Sequence, residues 1–204
     1  MSPSRFRVAD IMRRMYKQKL ITIRDGNVSF KPKNANHFYI SAGSVKKNKL
    51  TEDQVIKVNF DKNTNISYDT ENGLYKPSRE IYMHSFLHTS PENFDKDLFI
   101  VHAHPLNMIS YLGLFRYREL NSIKDCFPEI NVGKIGPNVK YLDAGSMELA
   151  KSCYENLRNH DIIGIERHGS LSKGPDIEKI FEELETLEYY LDSYLKTPNR
   201  FFEE

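Results

Sequence analysis

The hydrophobic and polar positions along the chain follow two different spacings, which predict a mixture of helices and short strands. Apolar residues near helical spacing predict a first helix over about residues 4–19 and a last one over about residues 176–195. Shorter helices are predicted after Pro77, where one would carry Glu80, over residues 106–112 and over residues 146–159. Short runs of β-branched and aromatic residues predict strands at 37–40, 55–60, 65–68, 98–101 and 161–165, with weaker candidates at 131–135 and 139–142. This order predicts a layered α/β domain whose short strands are mainly antiparallel.

Composition and charge narrow the function classes. The chain has 204 residues, and its 29 basic and 28 acidic side chains leave a formal charge of +1. Because the positive and negative charges almost cancel, there is no electrostatic reason to expect a nucleic-acid partner. The sequence has no apolar run long enough to cross a membrane and no apolar core of a signal peptide near its start. We therefore expect a cytoplasmic protein without a membrane partner, organised as one domain over residues 1–204.

Histidines carry the strongest local chemical signal. His102 and His104 follow a short apolar run, and residues i and i+2 of a strand point to the same face. His168 also comes directly after an apolar run. Three histidines with an open fourth position form a common catalytic zinc arrangement. A histidine at a strand end is more often an ordinary surface residue, and His84 and His88, at i and i+4 of the predicted helix, are an equally credible ligand pair by spacing alone.

One carboxylate and two turns are further candidates. Glu80 lies near the helix start after Pro77, where free backbone amides favour anions, although such a residue is more often a helix-start charge than a catalyst. The turns at residues 25–29 and 41–44 carry hydroxyls and glycines that could hold a phosphate. Ordinary turn chemistry explains the same residues equally well.

Six segments, taken together and in this order, resemble the class II aldolase/adducin family. They are Gly-Asn-Val-Ser at 26–29, Ile-Ser-Ala-Gly-Ser at 40–44, Pro-Ser-Arg-Glu at 77–80 with His84, His-Ala-His at 102–104, residues 145–150, and Arg-His-Gly at 167–169 with Gly174. The likeness covers nearly the whole chain. It implies a single-domain α/β/α fold with a mainly antiparallel central sheet.

The resemblance also implies roles for individual residues. His102, His104 and His168 match the family's ligands for Zn²⁺ or another divalent metal such as Mn²⁺, Co²⁺ or Fe²⁺. Glu80 matches the acid/base of the family's aldolases, and His84 becomes a helix residue near the site. The residues that match the family's phosphate pocket are Asn27, Gly43, Ser44, Ser78 and Arg79.

The phosphate turns depart from the family pattern at two points. Family aldolases usually have a Thr-Pro-Ser/Thr-Gly turn where this chain has Ser-Ala-Gly-Ser at 41–44, so the glycine is displaced by one position. Arg79 stands where a second serine is usual. An arginine could supply a charged phosphate contact in place of the hydroxyl, or could point to solvent.

The activity that the resemblance implies is cleavage of a ketose 1-phosphate to dihydroxyacetone phosphate and an aldehyde. Dehydratases, decarboxylases and pentulose-phosphate 4-epimerases of the family share the metal triad, but the epimerases usually carry aspartate where Glu80 stands. A non-catalytic adducin-like interaction module is the alternative of a different class. The resemblance further implies a homotetramer with active sites between subunits, and a tyrosine proton donor from a neighbouring subunit, for which the candidates are Tyr111, Tyr117, Tyr189, Tyr190 and Tyr194.

Overall fold

The computed structural model describes residues 3–68, 73–113 and 118–197. Within these ranges no helix is both long enough and apolar enough to span a membrane. The α-helices are α1 (Pro3–Lys17), α2 (Ile81–His88), α3 (Leu106–Gly113), α4 (Ile123–Cys126), α5 (Met147–Leu157) and α6 (Ile177–Lys196). The first and last helices therefore lie close to their predicted bounds.

Seven strands form one sheet. They are β1 (Asn27–Lys31), β2 (His37–Ser41), β3 (Val55–Phe60), β4 (Ile66–Tyr68), β5 (Leu98–Ala103), β6 (Ile162–Ile165) and β7 (Gly169–Gly174). Their order across the sheet is β4-β3-β2-β1-β5-β7-β6, and every neighbouring pair is antiparallel. The predicted mixed fold with a mainly antiparallel sheet is confirmed.

Helices cover both faces of this sheet. On one face α1, α3 and α6 pack against Val28 of β1 and Val101 of β5. On the other face α2 and α5 pack against Leu98 and Ile100 of β5. Because successive side chains of a strand point to opposite faces, β5 contributes to both layers, and His102 falls on the same side as Ile100, the side of α2. The fold thus directs this histidine toward the helix that follows Glu80.

Two weak strand predictions were wrong. The segments 131–135 and 139–142 contain no strand, and each makes one isolated parallel bridge, between Ile135 and Ile162 and between Val139 and Ile165. Each therefore touches the outer edge of β6 at a single point. A β-branched residue that packs against an edge produces the same short apolar pattern as a strand.

Two strands were missed. Residues 27–29 were interpreted as part of the turn at 25–29, and no element was predicted over residues 30–31 or 169–174. Both strands are buried along most of their length. A strand buried on both faces shows no alternation of apolar and polar positions, so the pattern did not reveal either strand. Serine, lysine and glycine make up most of β7, and in β1 only Val28 and Phe30 are strong strand formers, so propensity gave little help.

Candidate functional site

Three histidines converge at the end of β5. His102 lies in β5 between β1 and β7, opposite Asn27 on one side and Leu171 on the other. His104 follows on the same face, and His168 lies in the tight turn between β6 and β7. The Nε2 atom of His102 is 2.8 Å from Nε2 of His104 and 3.2 Å from Nε2 of His168. One ligand atom of each of the three lies within 4.8 Å of those of the other two.

Close backbone approach makes this convergence possible. A Cβ at Gly169 would lie 2.2 Å from the carbonyl oxygen of Ala103 and 2.9 Å from Cδ2 of His104. Any side chain at this position would therefore push β7 away from β5. The glycine after His168 keeps the His168 imidazole beside His102 and His104.

Hydrogen bonds fix the protonation of Nδ1 in two of these rings, those of His102 and His104. Nδ1 of His102 lies 2.8 Å from the carbonyl oxygen of Ser170, and Nδ1 of His104 lies 3.4 Å from a carboxylate oxygen of Asp25. A carbonyl and a carboxylate oxygen only accept, so each Nδ1 carries the proton and each Nε2 presents its lone pair to the cluster. Burial alone would raise the pKa of Asp25, but hydrogen bonds from His104 and Thr22 lower it to about 2. From the sequence, Asp25 was interpreted only as a turn residue, because no local pattern indicates a contact with His104, which lies far along the chain.

Glu80 completes the cluster. It is the residue that precedes the first turn of α2, rather than a member of the helix as predicted. Its Oε2 lies 3.2 Å from Nε2 of His102 and accepts a hydrogen bond of 2.8 Å from the Asn27 amide. Its Oε1 lies 3.4 Å from Nε2 of His168. Although burial opposes ionisation, the nearby histidines and the hydrogen bond from Asn27 hold the pKa of Glu80 at about 2.

The protonation states suit a cation. Burial lowers the pKa of His102 to about 3 and also lowers that of His168. Near neutral pH these two imidazoles are therefore uncharged next to an ionised carboxylate. The buried Oε1 of Glu80 has no hydrogen-bond partner among the residues that the structure describes. Converging lone pairs, a buried negative charge and an unsatisfied oxygen fit a divalent metal ion, and the donor set matches sites for zinc.

The rival histidine pair lies deeper. His84 and His88 are almost fully buried in α2, where both contact the hydroxyl of Ser29. Within the described residues the His102 cluster brings three possible ligands together, whereas His84 and His88 belong to no group of three or more. The structure therefore favours the strand-end histidines over the pair on the helix.

Four of the five predicted phosphate residues fall into two neighbouring segments, and the fifth, Asn27, lies in β1. The backbone amide of Gly43 donates to the carbonyl of Lys76, and the amide of Ser78 donates to the carbonyl of Ser41. Gly43 is packed so closely that an added Cβ would be 3.3 Å from the carbonyl oxygen of Pro77. The turn at 41–44 and the segment before Glu80 therefore form one continuous surface.

The remaining phosphate candidates differ in how free their side chains are. Ser44 has a φ of 58°, in the left-handed region where the family pattern has its glycine. Arg79 is exposed, and a Cβ at Gly145 would meet its Cγ at 2.6 Å. Asn27 is different, because both polar atoms of its amide are already engaged, with Glu80 and with His84.

A buried lysine lies beneath the turn at 41–44. Lys47 is 1% exposed, and its ammonium group donates a hydrogen bond of 2.6 Å to the carbonyl of Ala42. Burial lowers the pKa of Lys47 to about 8, with a smaller opposing effect of Asp25. Sequence reasoning missed this residue, because it lies in a run of lysines that looks like an exposed segment.

The tyrosine candidates are spread over different surroundings. Tyr111 is 2% exposed and its ring packs edge-on against Tyr194. Burial raises the pKa of Tyr111 to about 12. Tyr189 is 71% exposed, whereas Tyr190 packs against the hydrophobic core. Tyr117 lies outside the described residues.

Comparison with known proteins identifies relatives of similar sequence and similar fold. The model of the "Class II Aldolase and Adducin N-terminal domain" family matches residues 6–195. An L-fuculose phosphate aldolase of Methanococcus maripaludis (strain C7 / ATCC BAA-1331) is 32% identical over 177 residues, which cover 85% of this chain and 86% of the relative. A sugar-phosphate aldolase from Thermotoga maritima has a TM-score of 0.73 at 18% identity, covering 95% of this chain and 94% of that one. An L-fuculose-1-phosphate aldolase from Thermus thermophilus has a TM-score of 0.68 at 21% identity, covering 96% of this chain and 95% of that one. At such low identity, both structures support the fold alone. With its sequence matched from the first helix to the last, the chain belongs to the class II aldolase and adducin N-terminal domain family.

Proposed function

We propose that this protein is a divalent-metal-dependent lyase that cleaves a ketose 1-phosphate to dihydroxyacetone phosphate and an aldehyde. The observation that carries the proposal is the position of Glu80, an ionised and buried carboxylate whose oxygens lie 3.2 Å and 3.4 Å from the Nε2 atoms of His102 and His168. The name of the curated relative, an L-fuculose phosphate aldolase, supports the same class of substrate. A shared fold alone would not require an acid/base group beside the three histidines, so the position of Glu80 supports a catalytic role.

The metal would be held by His102, His104 and His168. A divalent cation, with zinc as the first choice and Mn²⁺, Co²⁺ or Fe²⁺ as alternatives, supplies when bound a Lewis acid for the oxygens of the substrate. The hydrogen bonds to Ser170 and Asp25 keep two of the imidazoles in the tautomer that binds a metal. His102 and His168 need no deprotonation near neutral pH, because burial has already lowered their pKa values.

Glu80 would transfer the proton at the carbon next to the substrate carbonyl. In the direction of aldol addition that carbon must lose a proton to a base, and in the direction of cleavage it must regain one. Oε2 of Glu80 is fixed by Asn27, whereas its buried Oε1 has no hydrogen-bond partner in the described part of the chain and can take or give the proton. One oxygen thus holds the carboxylate in place while the other reacts.

The surface formed by Gly43, Ser44, Ser78 and Arg79 would hold the phosphate group. Arg79 is the charged and exposed member, and Ser44 and Ser78 add hydroxyls to the two adjoining segments. Anchoring the phosphate at a fixed distance from Glu80 presents the reacting carbon to the base in one position. We expect Arg79→Ala to raise the KM for the phosphorylated substrate more than it changes kcat.

The first experiment combines metal content with product release. The purified protein should carry about one divalent ion per chain, as in a three-histidine site, and His102→Ala should lose it. His37→Ala, which removes a histidine from β2, should retain it. A wild-type protein that takes up no divalent ion even when supplied would refute the proposal.

The second experiment tests the base. L-fuculose 1-phosphate and other ketose 1-phosphates are supplied, and dihydroxyacetone phosphate is measured with a coupled enzyme. Glu80→Gln should lower kcat by roughly 10²- to 10⁴-fold, the usual contribution of a general base, without loss of metal. Glu183→Gln replaces a buried glutamate of α6 and should keep the activity. An epimerase, dehydratase or decarboxylase would convert a sugar phosphate without releasing dihydroxyacetone phosphate.

We also propose a homotetramer with active sites at the subunit interfaces. Large apolar side chains near the site stay exposed in the single chain, among them Tyr82 at 41%, Met147 at 40% and Tyr141 at 49%. An interface would bury such residues. Light scattering of the purified protein tests this, and a monomer at all concentrations would contradict it.

A further inference from the structure

A chain of buried hydrogen bonds leads from Glu80 into the core. The Asn27 amide donates to Glu80 and contacts Nε2 of His84 through its oxygen. Nδ1 of His84 lies 2.6 Å from the hydroxyl of Ser29, and the same hydroxyl lies 2.6 Å from Nε2 of His88. Three of these residues are less than 2% exposed, namely Ser29, His84 and His88. None of the proposed metal ligands belongs to this chain, which begins at Oε2 of Glu80, the same oxygen that lies 3.2 Å from Nε2 of His102.

Each hydrogen bond of this chain has a direction that follows from its end at Glu80. An ionised carboxylate only accepts, so the NH₂ group of Asn27 faces it and the Asn27 oxygen accepts from His84. Nε2 of His84 therefore carries a proton, and in the neutral ring Nδ1 must accept. The hydroxyl of Ser29 then donates to His84 and, having spent its only proton, accepts from Nε2 of His88.

Neutral rings are what this burial requires. Burial lowers the pKa of His84 to about 4, against a smaller opposite effect of Glu80, and it lowers the pKa of His88 as well. Nδ1 of His88 is buried and has no hydrogen-bond partner among the described residues, so the chain ends there. The ring of His88 stacks on Phe38 at 4.6 Å between centroids, which keeps it in place without a second polar contact.

We propose that Ser29, His84 and His88 are positioning residues that hold the Asn27 amide in one orientation and thereby fix the Glu80 carboxylate for proton transfer. A reversed amide would place the Asn27 oxygen against the carboxylate, where two acceptors repel. All protons of the chain point toward Glu80, and hydrogen bonds in such a series strengthen one another. This inference rests on the proposed role of Glu80 as the base.

The first test reads the tautomers and needs no substrate. In ¹⁵N-labelled protein loaded with Zn²⁺, long-range ¹H–¹⁵N correlations of the imidazoles distinguish a protonated Nε2 from a protonated Nδ1. His84→Gln and His88→Phe variants assign the two rings. Both histidines should be neutral with the proton on Nε2 at about neutral pH. A proton on Nδ1 of His84 would mean that the Asn27 amide is reversed, and would overturn the proposal.

The second test separates positioning from folding. Ser29→Ala removes the hydroxyl in the middle of the chain, and the matched control Ser172→Ala removes another buried hydroxyl, which has no hydrogen-bond partner in the described chain. With L-fuculose 1-phosphate as the probe, Ser29→Ala should lower kcat on the order of tenfold, as loss of a supporting hydrogen bond does at other sites, with little change in KM or bound zinc. The control should keep both values.

Equal kcat values for Ser29→Ala and Ser172→Ala would overturn the positioning role. If the wild-type protein releases no dihydroxyacetone phosphate while His84 and His88 show the expected tautomers, the failure belongs to the proposed reaction, and the hydrogen-bond chain is supported.

Discussion

Replacing His84 with glutamine should remove a defined part of the pH dependence of stability. The ordinary pKa of the imidazole is 6.5, and burial lowers it to about 4 in the folded protein. Between these two values the unfolded chain binds a proton that the folded protein excludes. The contribution of His84 to the free energy of unfolding is therefore largest above pH 6.5. It decreases as the pH falls below 6.5 and reaches its lowest value near pH 4.

The magnitude follows from the linkage relation. The complete loss is roughly 3 kcal/mol, since each unit of pKa difference corresponds to about 1.4 kcal/mol. Between about pH 7.5 and about pH 5 the loss is about 2 kcal/mol, because the unfolded state is then largely protonated and the folded state is not. His84→Gln has no such proton to bind. Its free energy of unfolding should thus fall by about 2 kcal/mol less than that of the wild type over this range.

Urea unfolding of the metal-free proteins at the two pH values measures this difference. Chelation removes the metal, so that dissociation of an ion does not contribute. Ser85→Ala is the matched control, because it removes a buried polar side chain from the same helix without changing a titratable group. The control should show the wild-type loss in full. If His84→Gln also shows it in full, His84 is not held neutral by burial, and the argument for the direction of the hydrogen-bond chain loses its support.

Three further predictions concern the surroundings of the site. Asp25→Asn should weaken zinc binding by about 10- to 100-fold in competition with a chelator, because a neutral amide oxygen accepts the Nδ1 proton of His104 more weakly than a carboxylate does. Asp61→Asn in an exposed turn should leave zinc binding unchanged. Ser44→Gly should raise the free energy of unfolding by up to about 1 kcal/mol, since a φ of 58° strains any residue with a Cβ, and a destabilised variant would contradict this. Lys47→Met should be more stable than the wild type, and the difference should be largest at neutral pH. The pKa of Lys47 in the folded protein is about 8, below the ordinary 10.5, so the free energy of unfolding of the wild type rises as the pH increases between these two values. This advantage should shrink by about 2 kcal/mol between about pH 7.5 and about pH 10 in chemical unfolding, and a constant difference would show that the pKa of Lys47 is the same in the folded and the unfolded protein.

Much of the fold could be predicted from local pattern. Helix α6 and strand β5 were located closely, because one shows a long apolar periodicity and the other a short apolar run. Strand β7 was missed because Gly-Ser-Leu-Ser-Lys-Gly has almost no strand-forming residues, and it is held in place by hydrogen bonds to β5 and β6 on both sides. Pairing with its neighbours in the sheet stabilises β7 as a strand, although its own residues do not favour one.

By itself the sequence predicted which residues would carry the chemistry. The HxH spacing at His102 and His104 guarantees a shared face, and the family resemblance added His168 and Glu80. Only the tertiary structure decided how these residues meet, because antiparallel pairing of β7 with β5 brings residue 168 to residue 102 and the turn before α2 brings in Glu80. The roles of Asp25 and of the chain behind Asn27 belong to the structure alone, since their hydrogen bonds join residues far apart in sequence and no local pattern encodes a contact at that distance.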